Sequence, residues 1–203
     1  FAFRLFKVIR NEKPDIIHCH SRRGGDFFGG LVARCFDIPA ILSRRVDSLE
    51  FSFLTRIRNA IFVKIIAISK NIYNILSLSA LHLDKLVMIR SAVDSQRFLI
   101  AVKKEEFLKK FDLNKDDFVL ATVGQLIPRK DHQFLIDSMV NLRKLYPQIK
   151  LIVFGQGQLN EKLKLQVSEL ELKDSVILAG FDLELDNYLS HFDILVHPAN
   201  AEG

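Results

Sequence analysis

Short runs of β-branched and aliphatic residues alternate along this chain with longer amphipathic runs, and that alternation admits few folds. Strands read at Asp15–Cys19, Ala40–Ser43, Ile65–Ser69, Lys85–Ile89, Phe118–Val123, Lys150–Phe154, Ser175–Ala179 and Asp193–His197. Between them the period lengthens toward 3.6, which predicts helices at Phe3–Asn11, about Gly25–Phe36, Lys70–Ser77, Asp131–Tyr146 and Asn160–Leu170, with a shorter one around Glu184–His191. Strands separated by crossover helices lie parallel, so the expected class is α/β. In Asp131–Tyr146 the apolar residues Phe134, Leu135, Met139, Leu142 and Leu145 read as the buried face.

The 203 residues, 49% of them hydrophobic, suffice for one substantial core or two modest ones. Charge divides unevenly: residues 1–100 hold 16 Lys and Arg against 8 Asp and Glu, whereas residues 101–203 hold 13 against 16. A basic half suits an anionic partner, whether nucleic acid, a membrane surface or a phosphorylated substrate. The segment Val102–Lys115 is charged and helix-prone, and reads as a connection. The expected organisation is a first domain over 1–100, a connection over 101–116 and a second domain over 117–203.

Cys19 and Cys35 lie in apolar surroundings without CxxC spacing and read as reduced core thiols. The most apolar stretch, Ala60–Ser69, is interrupted by Lys64 and is too short to cross a bilayer. Glu50–Ser69 mixes Phe51, Phe53, Leu54, Ile57 and Phe62 with Arg56, Arg58 and Lys64, which fits an interfacial helix or a core face with a solvated basic side. Nucleic-acid modules are absent from the pattern, and no GxxxxGK[ST] appears. The opening on Phe1 in a helical segment points to a beginning upstream.

In a parallel α/β sheet, ligands gather beyond the carboxyl ends of the strands. The loop Gly124–Lys130 (GQLIPRK) joins a strand to a helix there. A glycine permits close approach of backbone to ligand, and Arg129 and Lys130 stand beside a helix amino terminus, a combination suited to phosphate or, equally, a turn with solvated cations. Gly155–Gln156–Gly157 follows the next strand, but Asn160 replaces the third glycine of a dinucleotide fingerprint; a tight turn and a ligand contact both fit. His18 and His20 alternate onto one side of a strand end, where cleft-lining, packing and, given a third ligand, metal binding compete. Arg22–Arg23 and Arg44–Arg45 supply basic loops at the same edge.

Together these segments resemble the retaining glycosyltransferases of family four, which have the GT-B fold of two Rossmann-like domains facing across a cleft. The resemblance rests on VGQLIPRK (Val123–Lys130), LIVFGQG (Leu151–Gly157), VILAG (Val176–Gly180) and FDILVHPANAEG (Phe192–Gly203). It is supported by PDIIHCH (Pro14–His20), IAIS (Ile66–Ser69) and VMIRSAVDSQRF (Val87–Phe98). It implies transfer of a sugar from a nucleotide diphosphate donor to a glycan or glycolipid acceptor, with retention, without a metal or other cofactor, in synthesis of cell-surface polysaccharide or lipopolysaccharide. The implied donor site comprises Gly124, Gln125, Arg129, Lys130, Gly155, Gly157, Gly180, Glu202 and Gly203.

Lys130 matches the family's diphosphate-binding Lys. Gln125 stands where an Arg is usual, so either Arg129 compensates or the leaving group is held less tightly. Glu202–Gly203 matches the first half of a paired-glutamate motif whose second Glu would follow after seven residues. The family's first-domain His after the strand matching Ala40–Ser43 is absent, and the Ser91–Asp94 loop lacks the glycine usual before that aspartate. Lys130, Glu202 and Arg45 are thus the implied catalytic set, and His20, Arg44 and Arg45 the acceptor side. Cytoplasmic location, with contact at the inner face of an anionic membrane, follows from the same resemblance. A GT-B sugar-nucleotide epimerase and a non-catalytic sugar-nucleotide or glycan scaffold are the alternatives. A chain lacking the first strands and the second Glu is expected to be inactive by itself.

Overall fold

A computed structural model describes residues 2–20, 25–45, 59–79, 83–98 and 101–200, without the side chains of Ser79 and Arg97. The chain divides into two compact units between Ala92 and Val93.

The first unit is a four-stranded parallel sheet, β1 (Ile17–Cys19), β2 (Ala40–Arg44), β3 (Lys64–Ala67) and β4 (Leu86–Met88), ordered as in the sequence. Helices α1 (Ala2–Glu12), α2 (Gly25–Cys35) and α3 (Lys70–Ser79) belong to it. Its core joins Leu42, Ile65 and Ala67 of the sheet to Ala33 of α2, to Phe62, and to Ile72 and Leu76 of α3. Helix α2 approaches the sheet closely because two glycines face it: a Cβ on Gly29 would lie 2.5 Å from Cys19 Sγ, and one on Gly30 2.9 Å from the Phe62 ring. Burial and the Asp26 carboxylate push the Cys19 thiol up, so it stays protonated. Cys35 differs from expectation: at the last turn of α2 it is exposed, because it falls on the solvent side of the helix.

The second unit is also parallel, with β5 (Phe118–Val123), β6 (Ile149–Phe154), β7 (Val176–Gly180) and β8 (Ile194–Leu195) ordered β7-β6-β5-β8. Strand alternation feeds two cores. Leu120, Leu151 and Val153 pack against α5 (His132–Leu145) and α6 (Asn160–Glu169), whereas Val119, Ala121, Ile152 and Phe154 meet Phe107 and Phe111 of α4 (Lys104–Lys110) and its carboxyl end. Each fully buried side chain such as Phe107, Ile136 or Leu163 contributes about 1.5–3 kcal/mol over exposure.

Segment 101–116 is therefore a component of the second unit: Phe107 is 1% exposed and completes an aromatic cluster with Phe111, Tyr188 and Phe192. Charge on its outer face conceals those two phenylalanines in the sequence. Helix α5 buries Leu135 and Met139 of its expected face and packs Leu142 on the core, but differs at Phe134 and Leu145. His132, Leu135, Ile136 and Met139 are buried, while Phe134 and Leu145 are 64% and 71% exposed, since the packed stripe runs 132, 135, 136, 139 at helical spacing. The expected helix at Glu184–His191 is two single 3-10 turns, Leu185–Asn187 and Leu189–His191, and β8 shortens to two residues.

Candidate active site

In the second unit, β5, β6 and β7 run in one direction and end together. Beyond β5 the loop Gly124–Ile127 leads into a 3-10 turn, Pro128–Lys130, and then into α5. Asp131 joins the two helical pieces in the left-handed region at φ 52°, a conformation that Asp tolerates better than most side chains.

The two glycine loops are locked to each other through backbone. Gly124 N–H donates to the Phe154 carbonyl at 3.0 Å, Leu126 N–H to Gln156 at 3.1 Å, and Leu159 N–H to Leu126 at 3.0 Å. Gly155, at φ +139°, has no room for a Cβ beside the Gly124 carbonyl, and a Cβ on Gly157 would lie 2.5 Å from the Leu126 carbonyl oxygen. The tight-turn reading of Gly155–Gln156–Gly157 therefore has a specific physical cause, close approach of two backbones. Gly180 continues the edge: its carbonyl accepts from Gly155 N–H at 2.7 Å, and its φ of +74° faces open space.

A cleft of about 270 Å³ opens over these strand ends, lined by Val123, Gly124, Gln125, Phe154, Gly155, Gln156, Phe181, Asp182 and Leu185. Gln125 is exposed, and Lys130 is half-buried with its stem against Gly124. Arg129 is exposed on the 3-10 turn.

The strand order adds a second geometric fact. Chain order runs outward from β5 through β6 to β7, and then returns to the other side of β5 at β8, which makes the β5–β8 boundary a switch point. The loop after β8 meets the loop after β5 there. Asn200 N–H donates to the Arg129 carbonyl at 3.1 Å and its side-chain amide donates to Asp131 Oδ2 at 3.1 Å. Sequence reading missed Asn200, although its place in the HPAN segment was a usable signal.

His132 was missed as well. It occupies the first position of α5, is 1% exposed, and its Nε2 lies 3.3 Å from the Gln125 carbonyl oxygen. Burial lowers its pKa, with Lys130 and His197 acting in the same direction and the Gln125 carbonyl and Asp131 against it.

On the far rim, Lys110 Nζ donates to Asp182 Oδ2 at 2.8 Å and to Tyr188 Oη at 2.5 Å, tying α4 to the loop after β7. Burial raises the Asp182 carboxyl, but the Lys110 hydrogen bond and charge and the Glu184 amide outweigh it and hold it below the carboxylate range.

In the first unit, His18 and His20 do share one side, their ring centroids 3.9 Å apart, and His18 Nε2 lies 2.9 Å from Ser43 Oγ. Burial, His20 and Arg45 lower the His18 pKa. Arg45 and His20 are exposed. Arg44 departs from the acceptor-side expectation: as the last residue of β2 it is 4% exposed, buried together with Leu42 and Ser43, whereas Arg45 lies just past the strand. Glu202, Gly203, Arg22, Arg23 and all of Glu50–Arg58 lie outside the described residues. Among the described residues, no three His, Cys, Asp or Glu side chains converge as a metal-ligand set, and no helix is long and apolar enough to cross a membrane.

Comparison with known proteins bears on this arrangement. The family described as glycosyl transferases group 1 matches residues 103–203, the part of the chain that carries the β5 and β8 loops. The chain belongs to the group 1 glycosyltransferases. Among curated relatives of the chain, the Escherichia coli UDP-Gal:alpha-D-GlcNAc-diphosphoundecaprenol alpha-1,3-galactosyltransferase is 26% identical over 216 residues, covering 98% of this chain and 55% of the relative. A Campylobacter jejuni N-acetylgalactosaminyltransferase, whose name specifies a diphospho-undecaprenol-linked acceptor, is 33% identical over 89 residues, covering 44% of this chain and 23% of its own length. The Anabaena protein HepE, crystallised with UDP-glucose, superposes with a TM-score of 0.81 at 17% identity, covering 98% of this chain and 57% of HepE. That likeness establishes the fold, an α/β architecture of the GT-B type. The chain spans about half the length of the curated relatives it matches over nearly its whole extent.

Proposed function

We propose that the protein of which this chain is part transfers a sugar, with retention, from a nucleotide diphosphate donor to a lipid-linked or polysaccharide acceptor in cell-surface glycan synthesis. The observation that carries this reading is the joining of Lys130, Arg129 and the amino terminus of α5 in one loop, beside a cleft framed by Gly124, Gln125 and Gly155. As the anomeric C–O bond breaks, its electron pair leaves on the diphosphate. The Lys130 ammonium, the Arg129 guanidinium and the helix amino terminus stabilise that charge, so catalysis is mainly electrostatic and proceeds without a metal.

Gly180, whose φ opens onto free space, lets the donor lie against the strand end. Glu202 orients the donor sugar, with Gly203 beside it in the proposed donor set. His20 and Arg45 receive the acceptor, while Arg44 supports that edge from within. The naming of UDP donors or diphosphate-linked lipids in the Escherichia coli and Campylobacter relatives supports this substrate class. Such an enzyme works in the cytoplasm at the inner membrane face, and the basic first unit favours approach to anionic lipid.

The test is transfer of labelled sugar from UDP-hexoses to an undecaprenyl-diphosphate-linked acceptor by the full-length protein. The reading expects turnover that falls about 100-fold or more in Lys130→Ala, as for loss of one electrostatic contact to a developing anion. Equal turnover in the variant would refute the assignment.

A further inference from the structure

His132 is the buried titratable group closest to the candidate diphosphate loop. It stands at the amino terminus of α5, directly after the two cations, with 1% of its surface exposed. Its Nε2 lies 3.3 Å from the Gln125 carbonyl, and a carbonyl can only accept, so the neutral ring carries its proton on Nε2. Nδ1 is then a bare lone pair, and it is fully buried with no hydrogen-bond partner. An unpaired buried acceptor costs stability without contributing to the fold, which calls for another account of the residue.

The charges around it supply one. Lys130 and Asp131 flank it from the turn before α5, and His197 faces it from beyond β8. Burial, Lys130 and His197 disfavour the imidazolium. A nucleoside diphosphate brings close to three negative charges to the same loop, opposed there by only Arg129, Lys130 and the helix amino terminus. Gln125, exposed at the cleft, adds no charge.

We infer that His132 is a proton-coupled charge-compensating residue, neutral in the free protein and protonated at Nδ1 when a nucleoside diphosphate binds. The inference rests on the proposed donor site. The incoming anion favours the imidazolium, which keeps its Nε2–H bond to the Gln125 carbonyl and adds a positive charge behind the loop, the new Nδ1–H reaching an acceptor through a small shift of ring or loop. Breakage of the sugar–diphosphate bond increases the negative charge on the bound diphosphate, so the same residue favours the product-like distribution of charge. The sign of the linkage is fixed: binding takes up a proton, and affinity falls as pH rises through the pKa of the liganded state.

The experiment is calorimetric titration of UDP into the full-length protein at pH 7.5, where UDP itself is essentially fully ionised, in buffers of differing ionisation enthalpy. Wild-type protein is expected to take up a measurable fraction of a proton per UDP bound. His132→Gln, which keeps an amide donor to Gln125 but cannot titrate, is expected to bind UDP with no uptake and with a Kd independent of pH between about 7.5 and 8.5, where UDP is fully ionised. His197→Gln is expected to retain the uptake. Binding without uptake in the wild type, or equal uptake in His132→Gln, overturns the inference while leaving the donor site standing. No UDP binding by the wild type overturns both. Should His132→Gln fail to fold, the imidazole of His132 in the wild type, followed by NMR with and without UDP at pH 7.5, decides alone: an unchanged protonation state refutes the inference.

Discussion

Gly155 packs so tightly on Gly124 that a Cβ at Gly155 would run into the Gly124 carbonyl oxygen. The cleft floor is thus two backbones in contact, and its shape depends on the absence of a side chain at Gly155. Gly155→Ala combines that overlap with a φ of +139° and is expected to destabilise the protein by about 3 kcal/mol or more. Gly180→Ala, with φ +74° but open space, is expected to cost only about 1 kcal/mol. Urea denaturation of both variants measures the contrast, and equal losses would contradict the packing described.

Helix α5 offers a test of which face is buried. Met139→Ala removes a side chain that is wholly buried and is expected to cost about 2–4 kcal/mol, whereas Phe134→Ser, at a site 64% exposed, is expected to stay within about 0.5 kcal/mol of the parent. A larger loss at Phe134 than at Met139 would reverse the assignment.

The Lys110–Asp182 latch gives a pH signature. Asp182 titrates below its ordinary 3.8 despite burial, so its contribution is present above that value and is lost as pH falls through the depressed one. The Lys110 pKa is raised above 10.5, first by the hydrogen bond to Asp182 and then by that to Tyr188, so its contribution is complete below 10.5 and is lost only as pH rises beyond. Lys110→Met is therefore expected to cost about 1 kcal/mol at neutral pH, with a difference from wild type that is flat from about pH 5 to 9 and shrinks in acid. A difference growing below pH 4 would exclude the latch.

Asn200 clamps the cation loop through two bonds, both at 3.1 Å. Asn200→Ala is expected to weaken UDP binding by the full-length protein about fivefold, a loss of about 1 kcal/mol, with little change in melting temperature. An unaltered Kd would mean that the side-chain bond to Asp131 does not shape the site.

How much of this was legible in the sequence depends on distance along the chain. Strands β5, β6 and β7 and the loop after β5 could be read because period, glycine and cation pair are local signals. The roles of Gly155 and Gly157 were not readable, since what they avoid is backbone at Gly124 and Leu126, some 31 residues away in each case. Phe107 and Phe111 were hidden in a charged run, and aromatic partners distant in sequence, Phe154, Tyr188 and Phe192 among them, reveal them as core. Arg44 and Arg45 look alike in sequence, yet the buried end of β2 includes Arg44 and stops before the exposed Arg45, a boundary that residue type does not mark. His132 was passed over because a histidine at a helix start carries no local mark of burial.

The central claim is that the Gly124–Lys130 loop holds a diphosphate. Calorimetric titration of UDP into the full-length protein and into its Lys130→Ala variant tests it most directly. The expected result is saturable binding by the wild type and a Kd at least about tenfold weaker in the variant, equivalent to about 1.4 kcal/mol. An identical Kd in the two proteins would contradict it.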